Sequence, residues 1–220
     1  MIKVILELHH HGDWTEITAN NDVKFLSINH LIDPINRYNI EAVLAYGNEI
    51  NDLINKLKKH RNIYKVTKID KVRKNLYVIS FIGSFENSVR KILWENKIVA
   101  QSLLVEDGIE KFMVFLDDYK IMEKIKEDLE RNPQISIDRM KIRNINFSDF
   151  IRILTPLESE IILTAYKKGF FENPRRISLT ELSSEFYMSK AALNYHIRNA
   201  IKKIITFYQI ITFYPNYNDL

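Results

Sequence analysis

Residues 154–208 read LTPLESEIILTAYKKGFFENPRRISLTELSSEFYMSKAALNYHIRNAIKKIITFY. Thr155-Pro156 supplies a cap and a first-turn proline, and Leu157, Ile161, Ile162 and Ala165 follow at helical spacing until Gly169 ends the run. A short aromatic and basic connection, residues 170–176, leads to Ser178. Ser178 caps a second helix, with Glu181 at capping-box spacing and Leu179, Leu182 and Phe186 as its apolar face. Tyr187, Met188 and Ser189 turn the chain, and Ser189 caps a third helix that starts at Lys190. The predicted fold of this third of the chain is all-α, a helix-turn-helix.

On the third helix, Leu193, Ile197, Ala200, Ile201 and Ile204 form the predicted buried stripe, which turns Lys190, Ala191, Asn194, Tyr195, Arg198 and Lys202 outward. Asn pairs bidentately with adenine, Arg with guanine, and an Ala methyl touches thymine. Ser189, Arg175, Arg176, Lys202 and Lys203 suit phosphates. No acidic residue lies between Glu185 and Asp219, as expected of a helix lying among phosphates, where carboxylates are repelled and forfeit counterion release. A solvated basic helix on a structural bundle is the blander reading, but caps, turn and charge bias agree on double-stranded DNA.

The segment from Leu154 to Ile204 resembles the DNA-binding domain of archaeal regulators of the bacterio-opsin activator type. The resemblance is carried by Leu154-Thr155-Pro156, Ala165-Tyr166 with Gly169-Phe170, Pro174-Arg175-Arg176, and Ser189-Lys190 followed by Leu193 and His196. It implies a transcription regulator whose upstream domain senses a signal. Two positions depart from the pattern: Tyr187 stands where such turns carry Gly, and Ser183 replaces a small apolar Ala. The first calls for another turn geometry or a left-handed Tyr187, at a cost on the order of 1 kcal/mol.

The chain has 220 residues, 46% of them hydrophobic, with five Gly and five Pro, which argues for folded structure throughout. The formal charge is +4; residues 151–220 hold nine basic and six acidic residues, residues 1–150 hold 23 and 22. The basic excess therefore concentrates in the C-terminal part. With no cysteine, disulfides, thiolate zinc sites, iron–sulfur clusters and cysteine nucleophiles are excluded. No apolar run approaches the roughly 20 residues of a membrane span, and Met1-Ile2-Lys3 leads into a strand instead of a signal peptide, so a cytoplasmic protein with no membrane partner is expected.

Residues 1–146 read as an α+β input domain. Strands are predicted over 2–9, 24–28, 40–46, 63–69, 76–81, 98–105, 111–116 and 134–142, and helices over 49–60, 86–94 and 119–131. From residue 75 to 142 the order is βαββαβ, a ferredoxin-like unit with Asp107-Gly108 turning its hairpin, and the strand-helix-strand over 40–69 reads as a degenerate second copy beside it. The fold does not decide function. Neither GxGxxG nor GxxxxGK is present, so nucleotide hydrolysis lacks its usual apparatus, and the strand at 76–81 lacks the Gly-rich basic signature of RNA readers.

One local oddity is His9-His10-His11-Gly12-Asp13-Trp14, with His30 a further imidazole. Alternation along a strand lets His9 and His11 converge, with Asp13 as polar contact and Trp14 as an apolar wall, a candidate site for a small-molecule effector. The alternative is a polar strand end closed by a Gly turn, and no metal and no cofactor is assigned. Asp117-Asp118 reads as a helix cap. Residues 144–150 form the expected linker, 151–213 the helix-turn-helix domain with an extended last helix, and 214–220 a tail. Ile197, Ile201, Ile204, Tyr208 and Ile211 repeat at heptad-like spacing, and the last four are expected to hold a homodimer, the alternative being burial against the chain's own input domain. The expected protein is a regulator responding to a small-molecule or protein effector. Its rival is an enzyme with a site near His9, His11 and Asp13 and a C-terminal interaction module.

Overall fold

The computed structural model describes residues 1–86, 88–98, 101–145 and 154–211, the side chains of 209–211 excepted. It divides into two compact units, Met1–Asn144 and Ile145–Leu220. Most of the expected linker (146–150), the tail at 214–220 and the Ile211 side chain lie outside the described residues. Among those described, no helix is long and apolar enough to cross a membrane.

Eight strands build the first unit: β1 (Ile2–His10), β2 (Lys24–Asp33), β3 (Tyr38–Tyr46), β4 (Ile63–Arg73), β5 (Leu76–Ser84), β6 (Gln101–Glu106), β7 (Ile109–Leu116) and β8 (Ile135–Asn144). A 3-10 turn, Trp14–Thr18, and the helices α1 (Ile50–Lys59), α2 (Val89–Glu95) and α3 (Tyr119–Glu130) interleave with them. Period-two patterning aims Val4, Leu6 and Leu8 of β1, Ile79 and Phe81 of β5, and Phe112 and Val114 of β7 into one core. Leu53 and Leu57 of α1, Leu93 of α2, and Ile125 and Leu129 of α3 complete it at helical spacing. Each such side chain contributes roughly 1.5–3 kcal/mol when fully buried.

The sheet is antiparallel, in the order β4-β5-β3-β2-β6-β7-β1-β8. The expected alternation from β5 to β8 is present, but a self-contained ferredoxin-like unit over residues 75–142 is not formed. Such a unit places its first strand between its third and fourth. Here β1, not β5, lies between β7 and β8, and β5 lies between β3 and β4. Two successive βαββαβ passages, β1–β4 and β5–β8, have thus exchanged first strands, with the 3-10 turn standing where the first passage would carry a helix. The passages join edge to edge through β2 and β6. Asp107 and Gly108 both take positive φ in the β6–β7 turn, the geometry a tight two-residue hairpin requires.

The second unit contains α4 (Pro156–Lys167), α5 (Leu179–Glu185) and α6 (Lys190–Ile211). Capping boxes open α4 (Thr155 with Glu158) and α5 (Ser178 with Glu181), so the N-cap amide and one orphaned first-turn amide of each helix have a partner. Ile161, Ala165, Phe170, Leu182, Leu193 and Ile197 form the core. Tyr187 adopts the left-handed conformation, with φ of 51° and 98% exposure. The Met188 amide reaches back to the Ser183 carbonyl at 3.0 Å, the long bond of a Schellman ending. The turn therefore keeps its shape without Gly, and the phenol points to solvent. Ser183 is tolerated in the interior because its hydroxyl donates to the Thr180 carbonyl at 2.8 Å.

Candidate functional site

The Ser189 hydroxyl accepts from the Ala192 amide at 3.1 Å, fixing where α6 begins and hence its rotation about its own axis. Leu193, Ile197 and Ala200 face the core, while Lys190, Ala191, Asn194, Tyr195, Arg198 and Lys202 are all exposed. Ala191, Asn194, Tyr195, Arg198, Asn199 and Lys202 line one continuous shallow depression along the helix. That is the arrangement a groove-reading helix needs, with base-pairing chemistries on the outer face and long cations beside them.

Two expectations on this unit need correction. Ile201 and Ile204 do not join its core; they are 36% and 39% exposed. Lys203 binds Glu158, with Nζ to Oε2 at 2.7 Å, tying α6 to the start of α4 and holding the Glu158 carboxyl below its usual range. Antiparallel packing thus runs out near Lys203, so the apolar positions beyond it, Ile204, Ile205 and Tyr208, remain exposed. Lys203 is also removed as a ready phosphate ligand. Arg176 pairs with Glu172 at 2.6 Å, and the Arg175 guanidinium lies 4.6 Å from the centre of the Phe170 ring. Both arginines lie exposed at the connection between α4 and α5.

The first unit concentrates its polar chemistry inside. His9 on β1 and His11, one residue past its end, lie on the same side with stacked rings 6.3 Å apart. That side is outward: His9 lies 3.2 Å from Asp138 and His11 lies 3.6 Å from Glu16, both partly solvated. His10 is the imidazole that points in. Its Nδ1 lies 3.3 Å from Oε1 of Glu110, and His10, Asp13 and Glu110 bring ligand atoms within 4.8 Å of one another. His30 is elsewhere, on β2, where burial and the nearby Arg90 charge lower its pKa to about 4.

His10, Asp13 and Glu110 line a cavity of about 40 Å³ together with Trp14, Asn39, Glu41, Asn62, Phe81, Arg90 and Phe112. Trp14 is a wall, packed edge-on against Phe25 and Phe81. Arg90 is held by hydrogen bonds to Glu41, Ser27 and Gln101. Burial pushes the Glu41 carboxyl up, while Arg90 opposes it. Burial likewise raises Glu110, and on His10 the hydrogen bond and field of Glu110 outweigh desolvation to raise the imidazole. Sequence reasoning missed Glu110, Glu41, Arg90 and Asn39, since only the exchange of first strands brings them to the end of β1. The one available signal was a carboxylate at an inward position of β7, between Ile109 and Lys111.

Residues 154–206 match the family of HTH DNA binding domains. The match covers the three described helices of the second unit up to Thr206, and it supports DNA as a partner and a DNA-binding regulator as the class of protein. Comparison with curated proteins finds no match.

Proposed function

We propose that the chain is a transcription regulator of the bacterio-opsin activator kind that reads the major groove with the first half of α6, under control of a signal received by the β-sheet unit. Asn194 and Arg198 read bases, Ala191 and Tyr195 make apolar and edge contacts, and Ser189, Lys190, Lys202, Arg175 and Arg176 bind phosphates. The observation that carries this reading is the exposed, carboxylate-free face of α6, set by the Ser189 cap within a segment matching the HTH DNA binding domain family. Two copies pair through Ile201, Ile204, Tyr208 and Ile211, which places two reading helices about one helical turn apart on DNA. The protein works in the cytoplasm, beside its DNA.

The rival enzymatic reading fits less well. A cavity of about 40 Å³ holds an ion or a little water, not an organic substrate in reaction. A genome-wide occupancy map, followed by binding to the recovered sequences in vitro, tests the reading. It predicts discrete peaks sharing a two-half-site motif and affinity for that motif at least about 1000-fold above random DNA at physiological salt. Uniform occupancy and equal affinity for all duplexes would contradict it.

A further inference from the structure

We infer that the cavity bounded by His10, Asp13 and Glu110 is a binding site for one divalent transition-metal cation of the Zn²⁺, Mn²⁺ or Fe²⁺ class. Imidazole and carboxylate donors together suit this class, whereas the all-oxygen cages preferred by Ca²⁺ and Mg²⁺ are absent from the trio. Donors about 2.1 Å from a metal lie ~3.4 Å apart in a tetrahedron and ~4.2 Å apart across an octahedron. The His10 and Glu110 atoms already stand at 3.3 Å and the whole set lies within 4.8 Å, so side-chain adjustments alone bring it onto an ion.

Charge points the same way. Asp13 and Glu110 are both buried, and among the described residues neither has a Lys or Arg within ion-pair distance. The cavity's own cation, Arg90, is committed to Glu41. Two buried carboxylates facing one imidazole leave negative charge in a low-dielectric space, which a divalent cation offsets. Independently, Asn39 is only 5% exposed, lines the same cavity, and keeps a buried Oδ1 with no hydrogen-bond partner among the described residues. Its amide nitrogen is already anchored to the Ser84 carbonyl and the Ser88 hydroxyl, leaving the oxygen free to accept from a metal-bound water.

A supporting shell is also built. Thr15 Oγ1 donates to Glu110 Oε1 at 2.9 Å, and Asn62 Nδ2 donates to Asp13 Oδ1 at 2.9 Å, which orients both carboxylates as outer partners do at metal sites. Occupancy would knit the end of β1, the 3-10 turn and β7 together. Metal as the regulating signal rests on the proposed regulator function; metal binding itself does not.

The test is calorimetric titration of the metal-stripped 220-residue chain with Zn²⁺ and with Mn²⁺, with bound metal counted by mass spectrometry. One ion per chain is expected. Glu110→Gln and Asp13→Asn, near-isosteric changes that remove a buried charge, should each weaken binding at least about 100-fold while circular dichroism stays unchanged. His9→Gln with His11→Gln should leave the affinity within about twofold. Absence of stoichiometric binding up to millimolar metal, or binding lost with the outer histidines but kept in Glu110→Gln, overturns the site. DNA affinity measured on the same preparations separates the two claims. One ion bound through Glu110 without DNA binding keeps the site and removes the regulator, and DNA binding without an ion does the reverse.

Discussion

The two units place their charges in opposite ways. On α6 the polar groups face solvent over a core of Leu193, Ile197 and Ala200, whereas at the end of β1 an imidazole, carboxylates and a guanidinium face inward over a cavity. An outward cationic face serves a large polyanion, where each contact is weak, screened by salt and additive. An inward cluster suits something as small as an ion, and there every charge must be matched or the fold suffers. The proposed division, DNA contact at one unit and signal reception at the other, rests on this difference in dielectric as much as on residue type.

The sharpest way to break the contrast is to unpair an inward charge. Arg90→Met leaves Glu41 buried without its partner and should cost about 3–5 kcal/mol, read as a lower urea midpoint for the sheet unit. Adding Glu41→Met should restore most of that loss. An Arg90→Met protein of unchanged stability would mean that the cluster is more hydrated than the contrast allows.

An intermediate effect concerns the far end of α6. Ile201 and Ile204 are partly exposed within one chain, so Asp at both positions should leave helical circular dichroism intact yet convert a homodimer into a monomer by light scattering. The expected loss in dimer affinity is at least about 100-fold, several kcal/mol of burial cost at the seam. Wild type that is already monomeric at micromolar concentration, or a variant that still pairs, removes the seam from the account.

The smallest expected effect is on acid stability. With its folded-state pKa lowered to about 4 against 6.5 for the free side chain, His30 binds its proton more readily in the unfolded chain between those values. Stability therefore falls as pH drops from about 6.5 towards 4, and His30→Gln should flatten that part of the profile. Identical pH profiles for variant and wild type would show that His30 is solvated.

How far each unit could be read in advance follows the range of its contacts. Thr155, Ser178 and Ser189 each act within four residues of themselves, so caps, turn and outward face of the helical unit were all legible, including the cost-bearing Tyr187. What escaped was where packing ends, because Lys203 reaches back to Glu158, 45 residues away, and the apolar periodicity continues past that point. In the sheet unit the strands were legible from alternation, but their order was not. Nothing local in residues 2–10 distinguishes pairing with β7 and β8 from pairing nearer in sequence. The cavity inherits that difficulty: Thr15 bonds Glu110 across 95 residues and Arg90 meets Glu41 across 49.

The claim that most depends on geometry is that the outer face of α6 reads bases, and comparing affinities for a selected site and for random DNA tests it directly. Asn194→Ala and Arg198→Ala should each lose on the order of 1–3 kcal/mol on the selected site and little on random DNA. Lys202→Gln should weaken both alike and lower the slope of log affinity against log salt by roughly one. Equal losses on the two DNAs for Asn194→Ala and Arg198→Ala would contradict base reading by α6.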